Sequence, residues 1–289
     1  MIWFVLRKFL ALIAIVLVAA TIAWWTIAGV ATPGSRQDFL PWLGHLLVGN
    51  FGTAADGQPV GPLLAGRLAV TMPLAFLALL LATALGVAVG WLAALGPDTI
   101  ADRVLGAIGD VGAATQSFWL GMMLALAFAG GLHWLPPGGF VPWQDSPPAA
   151  LASLLLPALA LAVPAAATMA QQVRALLVDA TVAPAVVGAQ ARGATRRDAV
   201  RRSRLQAFVS FGRPLGLQAA AAIAGTVIVE NVFYLPGLGR LILDAVGVRD
   251  AMTVRGGLVM LVLLIAGALT LIEIVFGMLD PRRRAEAPE

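Results

Sequence analysis

The residues able to do covalent chemistry are few. The chain has two histidines, His45 and His133, and no cysteine. Thiolate nucleophiles, thiolate zinc sites and disulfides are therefore excluded. The histidines lie far apart without companions at ligand spacing, so they build no zinc site. No His-Glu-x-x-His pattern and no Walker-type phosphate loop occurs, and Gly237-Leu238-Gly239 is too short to be one. We expect no catalytic residue, metal ligand or cofactor site in this chain. Polar groups inside apolar stretches carry a different meaning. Glu230 sits near the end of an otherwise apolar run, 219–233. An ionisable group at membrane depth costs about 2.5–3.5 kcal/mol on insertion scales, so it normally faces a partner or a water-filled cavity. Two roles are open to Glu230: contact with a solute along an aqueous path, or a structural hydrogen bond to the turn at Leu235-Pro236-Gly237. Its neighbour Asn231, and Asp110 and Gln116 in an earlier apolar segment, are weaker candidates for the same path. Glu273 could pair with a positive charge on a partner chain.

A second polar group is basic. Arg196, Arg197, Arg201, Arg202 and Arg204 follow a stretch rich in small residues, 180–194, which itself contains Arg192. Pro184 suits the first turn of a short helix through Val186, Ala189 and Gln190. Gly193 then ends or bends it, and Thr195 can cap a second helix beginning at Arg196. Such a shape could lie along a membrane and dock into a groove on a soluble partner. Alternatively, the arginines only meet lipid phosphates.

The medium around these residues follows from composition. Hydrophobic residues make up 60% of the 289 and charged residues 12%, with a mean hydropathy of +0.90. Soluble domains run at roughly 45–50% apolar and about 25% charged. Lipid must be the solvent for much of this chain. The net charge of +4 sits on no soluble basic module, which argues against a nucleic-acid partner.

A spanning helix needs about 20 mostly apolar residues. Six segments qualify: 9–30, 68–95, 104–132, 151–176, 215–233 and 256–278. Asp110 and Gln116 interrupt the third, Pro157 and Pro164 the fourth. Both interruptions are tolerated where protein or water satisfies the backbone. The first segment is too long for a cleaved signal and reads as a retained helix. The chain is expected to form a single all-α membrane domain over 1–289, with one sizeable inner loop, 178–213. With the N-terminus inside, Arg36, Arg67, Arg240, Arg249 and Arg255 fall outside, leaving 14 of the 19 Lys and Arg inside. The positive-inside rule then puts both termini in the cytoplasm. Trp24, Trp25, Trp134 and Trp143 fall near the outer interface, as aromatic belts do.

Gly188-Ala189-Gln190-Ala191-Arg192-Gly193-Ala194-Thr195-Arg196-Arg197 resembles the cytoplasmic EAA loop of ABC importer permeases, in the form used by the dipeptide/oligopeptide/nickel (DppB/OppB-like) family. Val229-Glu230-Asn231-Val232-Phe233-Tyr234-Leu235-Pro236-Gly237-Leu238-Gly239-Arg240-Leu241 is similar to a second motif of that family. Further matches are Trp42-Leu43-Gly44, Gly49-Asn50-Phe51-Gly52, Ser117-Phe118-Trp119-Leu120-Gly121, Trp134-Leu135-Pro136-Pro137-Gly138-Gly139 and Leu279-Asp280-Pro281-Arg282. They keep the family's order over nearly the whole chain. Departures are Val187 and Gln190 within the loop, Gln116 where the family commonly has proline, and a short first outer loop.

The resemblance implies six transmembrane helices in the type I ABC importer permease fold, in a bacterial inner membrane. It implies a second homologous permease, two ATP-binding subunits that hold ATP and Mg, and a periplasmic or lipid-anchored substrate-binding protein, all set in membrane lipid. Ala189, Ala191, Arg192, Gly193, Arg196 and Arg197 would couple to the ATPase. Pro236, Gly237 and Gly239 would form a periplasmic turn. The solute would be small, peptide-like or a chelated metal. The rival reading is a self-contained secondary transporter or channel, which calls for midplane coupling charges and internal repeats. Neither is evident in the sequence.

Overall fold

The computed structural model describes residues 2–27, 39–97 and 99–279. In chain order the helices are α1 (Ile2–Ile27), α2 (Phe39–Leu47), α3 (Val60–Leu95), α4 (Ile100–Ala114) and α5 (Ser117–Leu124), the last running into a π-helical stretch, Ala125–Gly131. There follow α6 (Pro147–Val182), α7 (Pro184–Ala191), α8 (Arg196–Val209), α9 (Gly212–Val232), α10 (Leu238–Gly247) and α11 (Ala251–Leu279). Among the described residues the only extended pairing is one isolated bridge, Thr53 with Pro59. Five helical segments are long and apolar enough to cross a membrane, and the α4–α5 pair makes a sixth if counted as one span. The chain is thus an all-α membrane protein.

Several helices outrun the hydropathy windows that mark them. α1 begins at Ile2 and α3 at Val60, eight residues before its apolar core. Hydropathy reports what must sit in hydrocarbon, whereas a helix continues into the headgroup layer until its backbone is capped. The expected third span is bent by 98° between Ala114 and Ser117. Thr115 and Gln116 both take extended backbone there, and the Gln116 side chain caps nothing. α6 stays helical through Pro157 and Pro164. It starts on Ser146, whose hydroxyl accepts from Ala149 N–H, with Pro147 and Pro148 in the first turn, where their missing N–H groups cost nothing.

α3 and α6 form the most extensive helix pair. Buried small residues recur every fourth position on both: Ala78, Ala82, Gly86, Gly90 and Ala94 on α3, Ala158, Ala162, Ala166 and Ala170 on α6. A β-carbon on Gly86 would stand 2.6 Å from Met169 Cβ, and one on Gly90 2.5 Å from the Ala170 carbonyl oxygen. Between helices in lipid, where apolar burial gives little drive, this close backbone contact supplies the packing. The Arg174 guanidinium on α6 forks onto the buried Asp102 carboxylate and ties α4 alongside. A second core joins α1, α2, α10 and α11. There Trp24 and Trp42 pack as a tilted pair with ring centres 5.2 Å apart, and the buried Arg255 guanidinium lies 3.9 Å from the Trp24 ring centre. At the other end of α11, Glu273 pairs with Lys8 of α1, so its counter-charge lies within the chain. The expected match at Asp280-Pro281-Arg282 lies outside the described residues.

Candidate functional site: the α7–α8 elbow, the Glu230 turn and the α4–α5 cavity

Pro184 occupies the first turn of α7. At the far end Gly193 takes φ +88°, the left-handed region. Its N–H donates to Gln190 O at 2.9 Å, and Ala194 N–H donates to Ala189 O at 3.1 Å. This pair of bonds closes a helix with a glycine just past the cap, since a β-carbon at that φ is strained. Thr195 then starts α8: its hydroxyl accepts from Asp198 N–H at 3.2 Å and donates to the Asp198 carboxylate at 2.7 Å. The elbow brings Ala189, Ala191, Arg192, Gly193, Arg196 and Arg197 to one end of the molecule. All are exposed except the half-buried Ala189. A β-carbon on Gly193 would meet nothing within 4 Å in this chain. The glycine is therefore required by the backbone turn, and its open side is free for another surface.

At the opposite ends of α3 and α9, Glu230 is fully buried. Its carboxylate accepts from Thr71 Oγ1 at 2.7 Å, Gly239 N–H at 2.7 Å and Arg240 N–H at 3.2 Å. Thr71 Oγ1 in turn accepts Leu238 N–H at 2.8 Å, which leaves its own hydrogen for Glu230. The carboxylate thus receives the otherwise unpaired N–H groups at the start of α10, where negative charge is also favoured by the helix dipole. The turn glycines fit around it. A β-carbon on Gly237 would lie 2.2 Å from the Glu230 carboxyl carbon, and one on Gly239 would lie 2.3 Å from Val227 Cα. Pro236 O accepts from Arg67 of α3 at 3.4 Å. The Trp134–Gly139 loop closes over the same corner, with Gly139 N–H donating to Phe233 O at 2.8 Å. Of the two roles open to Glu230, this geometry supports the structural tie. In this structure the carboxylate is enclosed by its donors and no solvent reaches it. Asn231 spends its amide on Val227 O at 2.8 Å, within its own helix.

The α4–α5 bend opens a third feature. A cavity of about 320 Å³ is lined there by Thr115, Gln116, Ser117, Thr168 and Gln218 between apolar and small residues, with no charged side chain. Gln116 lines it; Glu230 and Asn231 do not. Asp110 lies outside it and accepts from Gln171 Nε2 at 2.8 Å. Gln218 and Thr168 were not singled out in the sequence. Gln218, a polar residue in an apolar run, could have been found by the reasoning applied to Gln116. Thr168 gives no such signal, because threonine satisfies itself on its own helix, here on Pro164 O at 3.1 Å.

The model of the family described as binding-protein-dependent transport system inner membrane component matches residues 86–285, which include the elbow, the Glu230 turn and the bend. The chain belongs to this family. It is therefore a permease component of an ABC transport system, and its relatives carry peptide names. A Brucella abortus (strain 2308) protein named as a peptide transport system permease is 32% identical over 84% of this chain and 78% of its own length. The oligopeptide transport system permease protein AppB of Bacillus subtilis (strain 168) is 28% identical over 84% of this chain and 79% of its own. The dipeptide transport system permease protein DppB of Escherichia coli (strain K12) is 28% identical over 86% and 80%.

Proposed function

We propose that this permease imports a small solute, peptide-like or a chelated metal, across a bacterial inner membrane, driven by ATP that other subunits hydrolyse. A second homologous permease completes the pathway. Two ATP-binding subunits, holding ATP and Mg, dock on the elbow. A periplasmic or lipid-anchored binding protein delivers the solute at the Glu230 side, and both termini lie in the cytoplasm. The observation that carries this reading is the elbow itself: an exposed helix–glycine–helix joint whose glycine faces open space. Closure of the ATPase pair would push the two elbows of the permease pair together and tilt the long helices as rigid bodies, exposing the pathway alternately to each side.

The α4–α5 cavity supports a route beside the bend. Neutral amides and hydroxyls at Gln116, Thr168 and Gln218 can hydrogen-bond peptide groups without trapping a charge.

Replacing Gly193 with valine tests the elbow. A β-branched residue at φ +88° strains the turn by about 1–2 kcal/mol and adds bulk on the open face. In proteoliposomes carrying the full complex, Gly193→Val is expected to leave the permease pair assembled. Uptake and the stimulation of ATP hydrolysis by loaded binding protein should both fall. Normal values for both would make Gly193 a helix terminator only and would move the coupling role elsewhere.

A further inference from the structure

Apart from the α4–α5 cavity, a groove of about 780 Å³ lies between α8 and the adjoining ends of α3 and α6. Arg196, Arg197, Arg201 and Arg204 line it together with Trp91 and Phe208, and no acidic residue does. Arg197, Arg201 and Arg204 fall at i, i+4 and i+7, so their guanidinium groups share one helix face. Like charges at that spacing repel unless an anion lies between them. Among the described residues none of these arginines has an ion pair, and the buried Nε of Arg204 has no hydrogen-bond partner. The remaining wall is apolar. Trp91 and Phe208 are each more than two-fifths exposed, in a chain whose long helices are built for lipid.

A cationic floor beside an exposed aromatic wall suits a ligand with one anionic end and one hydrocarbon end. We propose that the groove holds an anionic phospholipid, its phosphate on Arg201 and Arg204 and its acyl chains against Trp91 and Phe208. Free phosphate would leave the apolar wall bare. An acidic protein surface would have to desolvate that wall without filling it. Arg196 and Arg197 open α8 and belong to the proposed ATPase contact. Arg201 and Arg204, one and two turns further on, do not, which places the lipid next to the elbow and able to brace α8 against α3. This assignment stands whether or not the coupling role of Gly193 does.

Native mass spectrometry of the full chain, exchanged from mixed micelles containing equal phosphatidylglycerol and phosphatidylcholine, tests the groove. Wild-type protein is expected to retain phosphatidylglycerol preferentially. Each arginine near a membrane surface contributes about a five-fold factor in anionic-lipid binding, so the double variant Arg201→Gln/Arg204→Gln should retain about 25-fold less. Arg201→Lys/Arg204→Lys should keep most of it, which separates charge from folding. Equal retention of the two lipids, or unchanged retention in the glutamine variant, overturns the assignment. So does displacement of the lipid by millimolar inorganic phosphate, which would mark a simple anion site. Unchanged lipid retention with lost ATPase co-purification would give the groove to the ATPase instead.

Discussion

Glu230 illustrates how a costly residue in an apolar helix can serve architecture. Its carboxylate receives three donors from two other elements while sealed from solvent. Glu230→Gln keeps the volume but removes the charge and replaces one acceptor oxygen by an NH₂ donor, so the hydrogen bonds lose their charged acceptor. Hydrogen bonds to a charged group contribute about 1.5–3 kcal/mol each, and a buried donor left unpaired adds to the loss. The variant should lower the unfolding temperature of the detergent-solubilised permease and the yield of assembled complex. Transport per assembled complex should stay near normal. Wild-type stability with selectively lost transport would return Glu230 to the solute path. That Glu230 needed explaining was visible in the sequence, because charge at membrane depth is expensive. Which explanation holds was not, since its partner Thr71 lies 159 positions away and is unremarkable in a helix.

The helices show the same division. The α7–Gly193–α8 elbow was legible because its causes are local: proline in a first turn, glycine past a cap, threonine before a helix. The α4–α5 bend was only half legible. Asp110 and Gln116 marked the segment as unusual, but apolar residues continue through the break, and hydropathy does not register direction. The α3–α6 contact rests on small residues at four-residue spacing, a pattern that specifies close approach and not the partner helix. Its energetics can be read from one substitution. Gly90→Val drives a side chain against the Ala170 carbonyl and Val173, whereas Gly66, on the same helix, has nothing within 4 Å of its β-carbon position. Overpacking of this kind typically costs about 1–3 kcal/mol, more where backbone must move. Thermal unfolding of the two variants in parallel should show a clear loss for Gly90→Val and little change for Gly66→Val. Equal effects would mean the pair is held by something other than backbone proximity.

The two ends of the chain differ in charge, and the positive-inside rule turns that difference into the proposed direction. The α7–α8 end carries the arginine-rich helix, while the Glu230 turn and the Trp134–Gly139 loop lie at the other ends of the long helices. In intact cells a cysteine at the exposed Gln144 of this cysteine-free chain should react with an impermeant maleimide, and one at the exposed Arg202 should not. Labelling at Arg202 from outside would invert the molecule and remove the elbow from the ATPases. Under the proposed function, this family member is a subunit that moves solute only when energy enters from a partner.

Solute uptake into proteoliposomes tests that dependence most directly, using this permease with its second permease and ATP-binding subunits, with binding protein and labelled dipeptide outside and ATP enclosed. Uptake is expected only when ATP and binding protein are both present, and it should persist after proton and sodium gradients are collapsed. Uptake by this chain alone, driven by an ion gradient and indifferent to ATP, would contradict the account and establish a self-contained transporter.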